Sequence, residues 1–318
     1  GRLLVPLPRE PLRRGGAPRL RSGAGAARAA AARAVGLRLH GAPVVILGRL
    51  TYGLLAVAVL SGLALAPFWS AARPLESLEA LNGATPWGFF LRAVHALSSW
   101  GFLAGTLAHL VEVLARGSER KLPPAVWWRS VLLLPVAVLA LLGGFLMRGD
   151  AEADAALAVA REIASSVPLL GRGLSALFLG APGNDLSALA LHHAGTFTLL
   201  AWLLTAEHGR ALAPDLRSTV LAALGSFAAA GIVPVALGPA AAPEGGLLLG
   251  PWYLLGLQGA LLHLPAAAGW LLPLALLLAV GATRHLEGRA RAALLAFAGA
   301  WGAAYVAFTV RLLLLAAR

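Results

Sequence analysis

Seven stretches of this chain are long and apolar enough to cross a lipid bilayer. They cover 43–66, 88–114, 125–147, 187–207, 218–237, 265–283 and 291–315, lettered here A to G. A hydrocarbon core about 30 Å thick needs about 20 helical residues. Inside it no water satisfies the backbone, so a spanning segment must bond to itself as a helix. Composition agrees: only 13% of the residues are charged, against about 25% in a soluble domain, and mean hydropathy is +0.78. The expected fold class is an all-α integral membrane protein with about seven transmembrane helices.

Charge sets the expected topology. The net charge of +12 comes almost wholly from arginine, with Lys121 the only lysine. The segment 1–42, the B–C loop (Arg116, Arg120, Lys121, Arg129), the D–E loop (Arg210, Arg217) and the F–G loop (Arg284, Arg289, Arg291) are basic. The long C–D connection (148–186) carries Asp150, Glu152, Asp154 and Asp185 instead. Basic loops stay on the cytoplasmic side, so the N-terminal segment is expected inside and the C–D and E–F (238–264) connections outside. Alternating basic loops read as topology rather than nucleic-acid binding. Residues 24–39 suit a basic amphipathic helix on an anionic lipid surface. The absence of cysteine excludes disulfides, thiolate metal sites and covalently attached c-type haem.

Four of the eight histidines lie within or at the ends of spans B and D: His95 and His109, then His193 and His208. Ionisable side chains within spans mark function by default. At about 100° per residue, intervals of 14 and 15 return each pair to within about 40° and 60° of one helix face. Each pair is then separated by about 21–22 Å along the axis. Spans B and D run in the same direction, so facing each other they form two bis-histidine sites stacked across the bilayer. Two axial imidazoles suit low-spin haem iron in a bundle core. Zinc would instead want ligands gathered at one level. Helical phase favours His193 over the adjacent His192, whose side chain points about 160° away from that of His208.

Neighbouring spans show matching intervals. Span A carries Gly48 and Gly62, and span C carries Ser130 and Gly144, each pair 14 apart. Small residues at those positions let helices approach a flat cofactor. Arg92, three residues before His95, is placed to pair with a propionate by charge-assisted hydrogen bonds.

These features resemble the cytochrome b family of quinol–cytochrome c and plastoquinol oxidoreductases over about residues 43–315. The carriers are Arg92-x-x-His95 with His109, the run LSALALHH (Leu186–His193) with His208, the small-residue pairs, and SVPLLG (Ser166–Gly171). The resemblance implies two haem b groups, the outer on His95 and His193 and the inner on His109 and His208. It also implies a di-haem four-helix bundle over 43–210, after the basic tail 1–42, and a three-helix part over 211–318 like a fused partner subunit. By the same resemblance the chain is an electron-transfer subunit that exchanges electrons with quinone or quinol. It would sit in the bacterial inner membrane, in a multi-subunit and dimeric assembly. The redox partners implied are a Rieske-type iron–sulfur protein and a c-type cytochrome, or a multihaem cytochrome.

The chain departs from the family pattern at several positions. The outer Pro-Glu-Trp-Tyr motif reads Gly250-Pro251-Trp252-Tyr253, with Pro265 at the family-like interval. The arginine three residues after the second span-B histidine is Glu112, and Arg148-Gly149-Asp150 follows span C. Quinone-site candidates are Trp252 and Tyr253, the C–D carboxylates, and His263 as proton acceptor in place of the missing glutamate. The rival readings are a di-haem anchor of another respiratory enzyme and a non-redox membrane transporter with structural histidines.

Overall fold

The computed structural model describes residues 45–84, 87–181, 183, 185–244 and 246–317. The expected basic helix at 24–39 lies outside them. Eleven helices follow in order: α1 (Val45–Phe68), α2 (Pro74–Ala84), α3 (Gly88–Ala115), α4 (Pro124–Leu146), α5 (Ala151–Ser165), α6 (Gly171–Leu179), α7 (Ser187–Gly209), α8 (Leu216–Ala230), α9 (Leu255–Leu261), α10 (Ala268–Ala282) and α11 (Gly288–Ala316). Among the described residues there is no strand. The protein is an all-α integral membrane protein.

Six helices have the length and apolarity to span: α1, α3, α4, α7, α10 with its following turn to His285, and α11. They correspond to spans A, B, C, D, F and G. Span E, expected over 218–237, is not confirmed at that length: α8 has 15 residues, about 22 Å of helix. It stops before Pro234, which lacks a backbone donor and disfavours helical geometry in the residue ahead of it.

Helices α1, α3, α4 and α7 form the bundle. Its contacts are made through small residues: a Cβ on Gly105 would overlap Thr51 Oγ1, and one on Gly101 would lie 3.2 Å from Leu54. Helix α8 fills the groove between α1 and α3, where Val57, Ala93, Val94, Ala222 and Ala230 make one buried cluster. Helix α10 lies against α4 and α5. A Cβ on Gly281 would overlap Trp128, and one on Gly269 would overlap Ile163. The Trp127 indole N–H donates to the Gly281 carbonyl at 2.9 Å.

Two buried ion pairs stitch opposite ends of the bundle. After α4, Arg148 pairs with Asp150 and Glu152. Asp150 is fully buried, caps α5 by accepting from Ala153 N–H at 2.9 Å, and accepts from Gly238 N–H at 2.8 Å. One carboxylate thus ties the C–D and E–F connections together. At the other end Arg291 donates through Nε to Glu119 Oε1 at 2.9 Å and through Nη2 to the Leu114 carbonyl at 2.6 Å. That pair binds the α3–α4 loop to the first turn of α11.

Candidate cofactor site

The four intramembrane histidines come together as two facing pairs. The rings of His95 and His193 have centroids 6.1 Å apart, and those of His109 and His208 are 6.0 Å apart. Imidazole binds a metal such as zinc at about 2 Å, and a ring centre lies about 1 Å beyond its nitrogen. An ion held between two rings therefore sets their centres about 6 Å apart.

Hydrogen bonds fix the ring tautomers. His95 Nδ1 donates to the Ala58 carbonyl at 2.9 Å, with Ser61 Oγ 3.3 Å away. His193 Nδ1 donates to the Ala140 carbonyl at 2.7 Å. Ser130 Oγ donates to the Val126 carbonyl and accepts from His208 Nδ1 at 2.9 Å. With the proton held on Nδ1, Nε2 keeps its lone pair for a metal, and the outer hydrogen bond raises ligand basicity. His109 Nδ1 is buried without a partner among the described residues.

Each small residue singled out by spacing meets a different histidine. Gly62 faces His95, Gly48 faces His109 and Gly144 faces His193, with would-be Cβ contacts of 2.9, 3.3 and 2.8 Å. Ser130 faces His208. Helix α1 therefore backs the histidines of α3, and α4 backs those of α7. Midway between the two levels lies an apolar layer of Leu55, Phe102, Ala137 and Ala201, all buried in one cluster. Leu55, Phe102 and Ala137 each stand seven residues from both site positions on their own helix.

Helix α7 also reconciles the unequal intervals. Leu191–Phe197 is π-helical, a form that accommodates an extra residue within a turn. The 15-residue interval on α7 can thereby match the 14-residue interval on α3. His192 points elsewhere. Its Nε2 donates to the Leu177 carbonyl at 2.9 Å, its Nδ1 meets Thr196 Oγ1 at 3.0 Å, and it packs on Phe178. Both of its nitrogens are engaged, so it fills a core position.

The family model described as Cytochrome b/b6/petB matches residues 42–208. The chain belongs to the cytochrome b family. It is 26% identical over 137 residues to the menaquinol:cytochrome c reductase cytochrome b subunit of Geobacillus thermodenitrificans. That match covers 42% of this chain and 61% of the relative, so the chain spans less than two thirds of the relative's length. Among solved structures, a chain of a hyperthermophilic respiratory Complex III shares the fold, with a TM-score of 0.65 and 18% identity over 83% of each chain.

The remaining candidates are scattered in this cytochrome b chain. Arg92 is buried and bonds only neutral groups among the described residues, Asn82 Oδ1 at 2.9 Å and the Val235 carbonyl at 3.5 Å. It remains a cation suited to an anionic group. Trp252 is half exposed and touches Tyr253 edge-on. Tyr253 packs against the central core layer and accepts at its carbonyl from Tyr305. Burial pushes the Tyr253 phenol well above the ordinary tyrosine range, so it is a donor rather than a base. His263 is exposed on the turn after α9. Asp150 is consumed by its ion pair and cap, and Asp185 accepts from Ser187 N–H, which holds its carboxyl below the usual range. Spacing could not have found Ser61, the Ala140 carbonyl or Gly143, where a Cβ would lie 3.2 Å from that of His193, because each makes its contact only when helices pack.

Proposed function

We propose that this chain is the cytochrome b subunit of a membrane quinol:acceptor oxidoreductase, binding one haem b between His95 and His193 and a second between His109 and His208. The observation that carries this reading is the two facing ring pairs at 6.1 and 6.0 Å, each ring backed by its own small residue. When bound, haem iron supplies reversible one-electron chemistry. The protein's part is to hold Nε2 of each histidine toward the partner ring, to keep water from the layer between the levels, and to present Arg92 to a propionate.

In this reading residues 43–210 are the haem-binding bundle and 211–318 the three-helix part. The N-terminal segment faces the cytoplasm of a bacterial inner membrane. Quinone or quinol exchanges electrons with the chain, and the partners are an iron–sulfur protein and a c-type cytochrome or a multihaem cytochrome. The family match over the bundle and the relative named as a menaquinol:cytochrome c reductase subunit both support it. A pyridine haemochrome spectrum of the purified complex should give two haem b per chain. A value of one or none would overturn the reading.

A further inference from the structure

Resting on that reading, we infer that Glu162 is the residue that accepts a proton from bound quinol, in a cleft between α5 and the α9–α10 turn. The cleft holds about 270 Å³ and is lined by Val159, Glu162 and Ile163 from α5 with Leu261, Leu264 and Ala266 opposite. Glu162 is its one ionisable lining residue. No hydrogen bond or ion pair engages that carboxylate among the described residues, and it is exposed, so a proton received there has a route to water. Of the other carboxylates of the same connection, Asp150 is committed to Arg148, Ala153 and Gly238, Glu152 to Arg148, and Asp185 to Ser187 N–H, while Asp154 does not line the cleft. His263 does not line the cleft.

A second cleft of about 150 Å³ begins at the same Leu264 and runs past Ala260, Leu272 and the stacked Trp301–Tyr305 pair, with an almost wholly apolar lining. The two cavities share one wall residue. A ligand with a hydroxyl-bearing ring and a hydrocarbon tail matches this arrangement: ring against Glu162, tail along α9 and α11. A quinol has that shape.

The step is a proton transfer. The quinol O–H bond breaks, its electron pair stays on the quinol oxygen, and the proton forms a new O–H bond on the Glu162 carboxylate. The products are a quinol monoanion and a neutral carboxylic acid. A monoanion gives up electrons far more readily than neutral quinol, and the one-electron acceptors of the complex take them. The titratable groups on elements packed against α5 are Arg172 on α6, Arg129 and Arg148 near the two ends of α4, and His263 after α9; α10 carries none. On α5 itself Arg161 donates to the Leu179 carbonyl.

The experiment compares wild type with Glu162→Gln and Glu162→Asp in the intact complex, using a short-chain naphthoquinol as reductant at neutral pH. Glu162→Gln should slow haem reduction about 10²-fold at neutral pH, the usual scale for one general base. Haem content should stay at the wild-type value. Glu162→Asp should recover most of the rate. Leu264→Trp should raise the apparent KM for the quinol by narrowing both clefts. A Glu162→Gln rate within twofold of wild type, or a rate loss of the same size in His263→Gln, would overturn the assignment. A wild-type complex whose haems naphthoquinol does not reduce would instead sink the parent reading.

Discussion

Gly144 on α4 lies so close to His193 on α7 that a Cβ added there would stand 2.8 Å from the imidazole Cε1. The position that packs the helices together is thus the position that sets the ring. Gly62 bears the same relation to His95 at 2.9 Å, so the pair of rings is gripped from both sides by hydrogen in place of a side chain.

It follows that Gly144→Val and Gly62→Val should each cost about 1–3 kcal/mol through overpacking. Each should selectively remove the haem of the His95/His193 level. Redox titration of the α-band should then resolve one component in place of two. Gly48→Ala, where the contact is a milder 3.3 Å, should retain both. Loss of both haems from Gly144→Val would contradict the pairing.

Neighbouring histidines should behave in opposite ways. His193→Ala should leave one haem per chain. His192→Phe should keep two, since that ring bonds Leu177 and Thr196 and packs on Phe178. It should nonetheless lower stability by about 1–3 kcal/mol, because the buried imidazole's two hydrogen bonds, to the Leu177 carbonyl and to Thr196, are lost. Haem stoichiometry and a thermal melt in detergent check the two halves separately.

The Glu119–Arg291 pair offers a test remote from the haem sites. Glu119 is fully buried, and its second oxygen has no partner among the described residues. Breaking the pair with Glu119→Leu should leave a poorly compensated guanidinium and cost about 3–5 kcal/mol. The double change Glu119→Leu with Arg291→Met should recover most of that loss, since an apolar replacement of both partners removes the desolvation penalty. Tm values of the two variants, at unchanged haem content, decide it. Equal Tm values would mean that the ion pair contributes nothing beyond packing.

Helical periodicity and lipid solubility made much of this protein legible in one dimension. Six of the seven expected spans appear within a few residues of their sequence bounds, because a span is defined by its own apolar length. The histidines, Gly48, Gly62, Ser130 and Gly144 were legible for a related reason: a site on a straight helix repeats at a fixed interval, whatever that helix packs against. Tertiary structure decided the rest. Pairing of each small residue with one particular histidine needed the four helices side by side. The choice between His192 and His193 gained its physical basis from the carbonyls of Leu177 and Ala140, which lie on other elements. Span E shortened to α8 where Pro234 interrupts the run. Arg148-Gly149-Asp150 reads as a sequence oddity, yet it forms the corner that locks two distant connections, since Asp150 meets Gly238 88 residues away. Glu162 gained its meaning in the same way. Nothing along α5 distinguishes it from the other acids of that connection until Leu261 and Leu264 form the opposite wall of its cleft. Spacing along one helix fixes which side chains share a face; only the packing of helices fixes what that face meets.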